Sequence, residues 1–517
     1  MQRVACKEQV VLRNTMSYVF EELAHAIDAS CESQDEPALR SFLVQIAAMD
    51  RAHMSAPERA AVAFYEANIF AALRAGVEAP ALAQWYQPLL EKEIRALRLA
   101  RGELADQSTP ELGHDLKLRI LTNLANALNR CGRVVEAVEL WDEVLAEHPR
   151  FGMAMGNKAL ALYWHARYMD DALEQGLLLQ MSHRTLKAAL LAGVESHAQV
   201  QMEELVDHLG SVANWDEVEI APRPFRSGPS KQERRYRRWC VEHRVVLSPI
   251  NDVCLQVQSL QDTLTLPAIT VLASETTGSL PRPYAIFNQL KQEYVSARFL
   301  IFEALSEKGD KVHYADKGVI LFDTLDYRYY RTWIEKLKMA FLAVHAIFDK
   351  IAYLINDYWK LGLSTRRATF SSVWYTDGLT DKGVSPKFVS SQNWPLRGLY
   401  WLSRDFHIKP AGEGAVDPEA RVLRAIRNHI AHKYLRVHDH FLYGAKEDRA
   451  RNDHELGYPI SDSELEEQVI KLLKLARSAL VCLTCAVAHE ESDRKKAIGK
   501  QGVFPMEIPV VHDSYRL

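Results

Sequence analysis

The sequence predicts an all-α chain in two parts, on three observations. Residues 1–215 are rich in Ala, Leu and Glu and nearly free of β-branched runs, with apolar positions returning every three or four residues. Charge is divided: residues 1–230 hold 22 Lys/Arg and 32 Asp/Glu, net −10, leaving 41 and 35, net +6, for the remainder. Between the two lies Ile220–Lys231 (IAPRPFRSGPSK), where three prolines, a glycine and two serines break the helical pattern. The expected organisation is a helical repeat region over 1–220, a linker over 221–231, a second helical domain over 232–490 with an insertion at 362–417, and a C-terminal tail at 491–517.

Composition sets the outer limits. At roughly 100–200 residues per domain, 517 residues predict two to four domains. Gly (23) and Pro (20) are too few for a collagen-like or Pro/Gly-rich disordered chain, and seven cysteines in this length do not make a disulfide scaffold. The opening MQRVACKEQVVLRNTM lacks the apolar core of a signal peptide, and the most apolar stretch, Met339 to Ile355, carries Asp349 and Lys350 in its middle. The expectation is a soluble cytoplasmic protein with no membrane partner.

In the first part, TNLANALNRCGRVVEAVELWDEVLAEHP is the informative stretch. Leu124, Ala125 and Leu128 share one helical stripe, Gly132 marks a turn, and Ala137, Trp141 and Val144 form the next stripe before Pro149. Thirty-four residues on, Asn157, Ala159 and Leu162 repeat Asn123, Ala125 and Leu128, Arg167 repeats Arg133, and Ala172 repeats Ala137 after a one-residue slip. This unit resembles a tetratricopeptide repeat. Ala61–Arg74 and Trp85–Leu99 are candidates for further units of undetermined phase. The resemblance implies a concave surface for a protein or peptide partner, with packing or restraint of the attached domain as the alternative.

After the linker, KQERRYRRWCVEHR interleaves Arg234, Arg235, Arg237 and Arg238 with Tyr236 and Trp239. Cations beside rings suit contact with single-stranded RNA, although Trp239 and Cys240 equally fit the buried face of a helix. A short strand is expected at Ile269–Leu272, a helix from about Pro283 to Ser306, and a long helix from about Tyr329 to Leu361. Residues 362–417 read as irregular and aromatic, either folding over a face or lining a site. Asp417-Pro418 then starts a helix, and a final helix starts in a capping box of Ser461 with Glu464 or Ser463 with Glu466.

The helix after Asp417 carries the chemistry. Leu423, Ile426 and Ile430 form its packing stripe. Arg427 and His432, about 140° apart around an ideal helix, can both reach one anionic group over a cleft. A histidine near neutrality serves as general acid or base, and an arginine holds a phosphate and its developing charge. RNA supplies its own 2′-hydroxyl nucleophile, so no metal or cofactor is required. Arg424 and His429 repeat the spacing three residues earlier and are auxiliary candidates. His429 is expected either to bond the backbone or to donate in the groove.

The arrangement of Arg427-Asn428 and His432 on a late helix, between a long earlier helix and a closing one, resembles the HEPN superfamily (higher eukaryote and prokaryote nucleotide-binding domains). The segments YRRWCVEHR, LSPINDVC and NWPLRGLYWLSRDF look like a bacterial branch joined to tetratricopeptide-like repeats. The resemblance spans about residues 232–490. It implies a metal-independent endoribonuclease, with Arg427, Asn428 and His432 as the active-site set and two copies facing a shared groove. It also implies a role as toxin or antiviral effector. The alternative is a non-catalytic RNA-binding or protein-interaction module regulated through the repeat region. Asp326, Glu335 and Asp349 are undistinguished candidates for an orienting acid. Cys482 and Cys485 read as core more than as metal or redox groups, and His438 and His440 as loop residues more than as metal ligands.

Overall fold

The computed structural model describes residues 21–77, 84–104, 112–220, 228–256, 260–271, 280–309, 311–323, 328–406, 420–439 and 457–498, with 506, 508–511 and 513. The fold is all-α apart from one two-stranded parallel sheet among these residues.

The front half is a succession of packed helices. Residues 21–33 are helical, followed by α1 (Glu36–Ala48), α2 (Ala56–Ala75), α3 (Pro88–Leu104), α4 (Leu112–Arg130), α5 (Val134–Glu147), α6 (Gly152–Ala166), α7 (Ala172–Ala192) and α8 (Ser196–Val212). Their starts follow local chemistry. Ser55 and Glu58 form a reciprocal capping box on α2, and the Asp171 carboxylate accepts from the N–H groups of Leu173 and Glu174 at α7. Neighbouring helices pack as pairs, α2 on α3, α4 on α5, α6 on α7. In the α4–α5 pair the expected stripe is the buried one: Leu124, Ala125, Leu128, Ala137, Trp141 and Val144 are all at most 2% exposed.

The back half begins with α9 (Lys231–Glu242), then α10 (Arg282–Glu307), α11 (Thr332–Tyr358), α12 (Trp394–Asp405), α13 (Ala420–His432), β1 (Tyr434–His438), β2 (Gly457–Ser461) and α14 (Asp462–Ile498). Helices α10, α11 and α14 pack on one another, with α13 lying against α11 and the sheet. By length and apolar composition α11 alone among the described helices reaches that of a membrane span, and half of its most apolar window is buried inside the protein. Ser461 is the cap of α14, its hydroxyl accepting from the Glu464 N–H at 3.2 Å, while Glu466 instead pairs with Lys308.

Several sequence expectations change. Ile269–Val271 form no strand: the Ile269 N–H donates to the Tyr284 hydroxyl and the Thr270 N–H to Glu491, both at 2.9 Å, so side chains satisfy this backbone. His438 is not in a loop but in β1, 7% exposed, and β1 pairs in parallel with β2. The start at Asp417-Pro418, Asp326, His440 and residues 221–227 lie outside the described residues.

The segment expected to be irregular contains α12, capped by Asn393, whose Oδ1 accepts from the Leu396 N–H and whose Nδ2 donates to the Ala486 carbonyl of α14. Every residue of α12 from Pro395 to Asp405 is buried, its charged side chains included. Its residues join the two halves into one continuous core. Trp85 stacks on Phe388 at 5.4 Å and its carbonyl accepts from the Trp401 indole at 3.0 Å. Gly132, at φ +92°, touches Gly398: a Cβ on Gly398 would lie 2.3 Å from the Gly132 carbonyl oxygen. The Asp405 carboxylate, 4% exposed, pairs with Arg98 at 2.8 Å and Arg133 at 2.6 Å, and Arg404 pairs with Glu91 at 3.0 Å.

Candidate active site

Helix α13 is amphipathic: Leu423 and Ile426 are buried and Ile430 half-buried, while Arg424 and His432 are exposed. Burial of the first two fixes which way the remaining positions turn. Arg427 and Asn428 are half-buried beside the packed stripe, and the Arg427 Nη1 donates to Asn428 Oδ1 at 3.0 Å. Asn428 is neutral, so this bond orients the guanidinium without cancelling its charge. His432 stands one turn further on at the helix end.

The two overlapping pairs differ in their surroundings. His429 Nδ1 lies 2.7 Å from the Ala425 carbonyl oxygen, a bond in which the ring nitrogen donates, and the ring packs 5.4 Å from Tyr458 of β2. His429 therefore makes the backbone bond that was one of its two expected roles. His432 has no such anchor among the described residues.

Helix α11 contributes a residue that sequence reasoning missed. His345 packs beside Phe348 and Phe406 and lies within electrostatic reach of Arg427 and Asp349. Burial pushes its pKa below the usual imidazole value. Asp349 opposes that shift and the Arg427 charge reinforces it. A lone histidine on a long apolar helix gives no sequence signal beyond that of a core residue.

Among the three acidic candidates, Asp349 is the one on α11 near His345, and it also accepts from the Phe370 N–H at 3.2 Å. Glu335 pairs with Lys338 at 2.8 Å near the start of the same helix. Cys482 and Cys485 are each 3% exposed, and burial pushes the Cys482 thiol up to about 12. No cluster of three or more His, Cys, Asp or Glu side chains suited to a metal ion occurs among the described residues.

The arginine-rich α9 lies apart in the chain from α13. Arg234, Arg235 and Arg238 are exposed, and Arg237 is half-buried and pairs with Glu233 at 2.9 Å. The rings interleaved with them turn inward. Tyr236 lies 5.2 Å and Trp239 5.8 Å from Phe302 of α10, and Arg298 donates to the Tyr236 hydroxyl at 2.9 Å. Exposed guanidiniums above a ring-lined seam offer phosphate contacts more than stacking platforms.

No curated protein and no solved structure matches the chain. One family model does, over residues 274–490, and it is described as LA2681-like HEPN. The matched residues take in α10 to α13, the sheet and most of α14. Residues 274–490 of this chain form a HEPN-superfamily domain.

Proposed function

We propose that the protein is a metal-independent endoribonuclease, acting in the cytoplasm as a toxin or antiviral effector. The observation that carries this reading is Arg427 of α13, oriented by a neutral Asn428, with an exposed His432 five residues further on at the helix end. Arg427 holds the scissile phosphate and stabilises charge on its oxygens. The 2′-hydroxyl oxygen attacks phosphorus and the 5′-oxygen leaves, producing a 2′,3′-cyclic phosphate and a 5′-hydroxyl. His432 either takes the 2′-hydroxyl proton or delivers one to the departing oxygen. Two copies in a homodimer bring two such histidines to one groove, one for each proton transfer.

The dimer reading has support on the same domain. Val319, Ile320, Leu321 and Phe322 form a run before α11 in which Ile320 is 92% and Phe322 91% exposed. Contiguous apolar exposure of this kind marks a protein contact. The exposed Arg234, Arg235 and Arg238, with Arg237, are assigned to RNA backbone contact, and the helix pairs of the front half, read as tetratricopeptide-like, to a protein or peptide partner.

The test is cleavage of a labelled total-RNA pool in EDTA by the intact protein, Arg427→Ala and His432→Ala, with oligomeric state followed by light scattering. Cuts made by the intact protein and lost in both variants are the expected result. RNA binding without any product would replace the nuclease by a non-catalytic RNA-binding or protein-interaction module.

A further inference from the structure

A cavity of about 390 Å³ lies where the front and back halves meet, far along the chain from α13. That volume falls in the range of small-molecule sites, roughly 300–1,000 Å³. Four elements wall it: the end of α4 with Asn129 and Arg130, the end of α6 with Trp164 and His165, the start of α12 with Trp394, and α14 with Cys482 and Cys485. It exists because Gly132 and Gly398 let the turn and α12 approach to backbone contact, which fixes the Trp394 indole against the Asn129 carbonyl at 3.3 Å.

The lining has a definite chemistry. His165 is 7% exposed, and its Nε2 is buried with no hydrogen-bond partner. An unmet polar atom of this kind costs stability unless something binds it. Burial and the Arg477 charge push its pKa down to about 4, so at neutral pH the ring is uncharged and offers a single nitrogen edge. Three aromatic side chains, Trp164, Tyr168 and Trp394, line the same space, and Trp164 is 52% exposed at its rim. No lining residue is a carboxylate, and Arg130 is the cation among them. The nearby Glu93 is already held by Arg74 at 2.9 Å, so a net positive charge remains at the rim.

We infer that this cavity is a binding site for a small planar heteroaromatic anion. Its ring lies among the indoles beside the His165 side chain, and its phosphate or carboxylate faces Arg130. Flat rings suit aromatic walls, and the anion gains a charge-assisted bond at Arg130. Because the walls come from both halves, the bound molecule ties the front helices to α12. The site is independent of the nuclease reading, and its occupancy is read without an RNA assay.

The experiment is calorimetric titration of the full chain, with thermal unfolding alongside, using AMP and GMP in one arm and indole-3-acetate in the other. Neutral adenosine serves as the control. One anionic arm binds and raises the melting temperature while adenosine binds much more weakly, and the arm that binds tells phosphate from carboxylate. Arg130→Gln and Trp164→Ala, both at exposed positions, each weaken binding about tenfold or more. His165→Gln weakens it too, and if that variant does not fold the other two carry the test. Absence of binding by every probe overturns the site. So does binding that survives Arg130→Gln and Trp164→Ala, or that is abolished by Arg427→Ala in their place.

Discussion

Helices α12 and α13 follow one another in the back half, and both are rich in arginine, yet they treat charge in opposite ways. In α12, Arg404 is bound to Glu91, Arg397 lies over the Trp394 ring at 4.8 Å, and Asp405 at its end holds Arg98 and Arg133. In α13, Arg424 is exposed and Arg427 has only the neutral Asn428 as its hydrogen-bond partner among the described residues. A guanidinium with a buried carboxylate is committed to holding the structure. One oriented by an amide keeps its charge for an incoming anion. The comparison therefore sets a joint, α12, against the helix proposed as the working face, α13.

The largest effect is expected on the working face. Arg427→Ala and His432→Ala should each lower cleavage by about 10²–10⁴-fold, while urea unfolding shifts by less than about 1 kcal/mol because neither residue holds a buried partner. A variant that loses activity only by unfolding would erase the contrast. At the joint the reverse is expected. Asp405→Ala leaves Arg98 and Arg133 buried without that carboxylate and should cost about 3–5 kcal/mol in urea unfolding. A loss under 1 kcal/mol would show that the joint is not held by charge.

Acid should weaken the joint as well. The His165 pKa is lowered to about 4 in the folded state against about 6.5 when unfolded, so the unfolded chain takes up the proton first. Its contribution is complete above pH 6.5 and is lost as pH falls through about 4, on the order of 3 kcal/mol. Unfolding midpoints at pH 7 and pH 4.5 should therefore diverge less for His165→Gln than for the intact protein, and equal slopes would contradict the assignment. A smaller change is expected from Arg235→Glu with Arg238→Glu. RNA affinity should fall and its salt dependence should flatten, with the rate of the cleavage step itself unchanged.

How far the sequence carried depended on whether a feature is local. Helices α10, α11 and α14 were legible because their apolar periodicity runs over many turns, and helix α13 because charged residues stand beside an apolar stripe. The sheet was not legible. Each strand has five residues, Pro459 sits in β2 opposite Arg436, and parallel partners far apart in sequence leave no hairpin signal. Helix α12 was missed because it is only 12 residues long and carries Pro395 and Gly398 among its rings, which read as irregular. His345 was missed because its meaning comes from Arg427 on another helix. The interleaved rings of α9 were read as exposed or buried with equal ease, and only packing against Phe302 decides it.

The most direct test compares two versions of one RNA oligonucleotide spanning a mapped cut site, one unmodified and one with a single 2′-deoxy substitution at the scissile nucleotide. The measurement is single-turnover cleavage in EDTA, with the product ends identified. The account predicts that the unmodified strand is cut to a 2′,3′-cyclic phosphate and a 5′-hydroxyl, and that the substituted strand binds equally well and stays intact. Cleavage of the substituted strand, or products ending in a 5′-phosphate, would contradict attack by the 2′-hydroxyl and with it the roles given to Arg427 and His432.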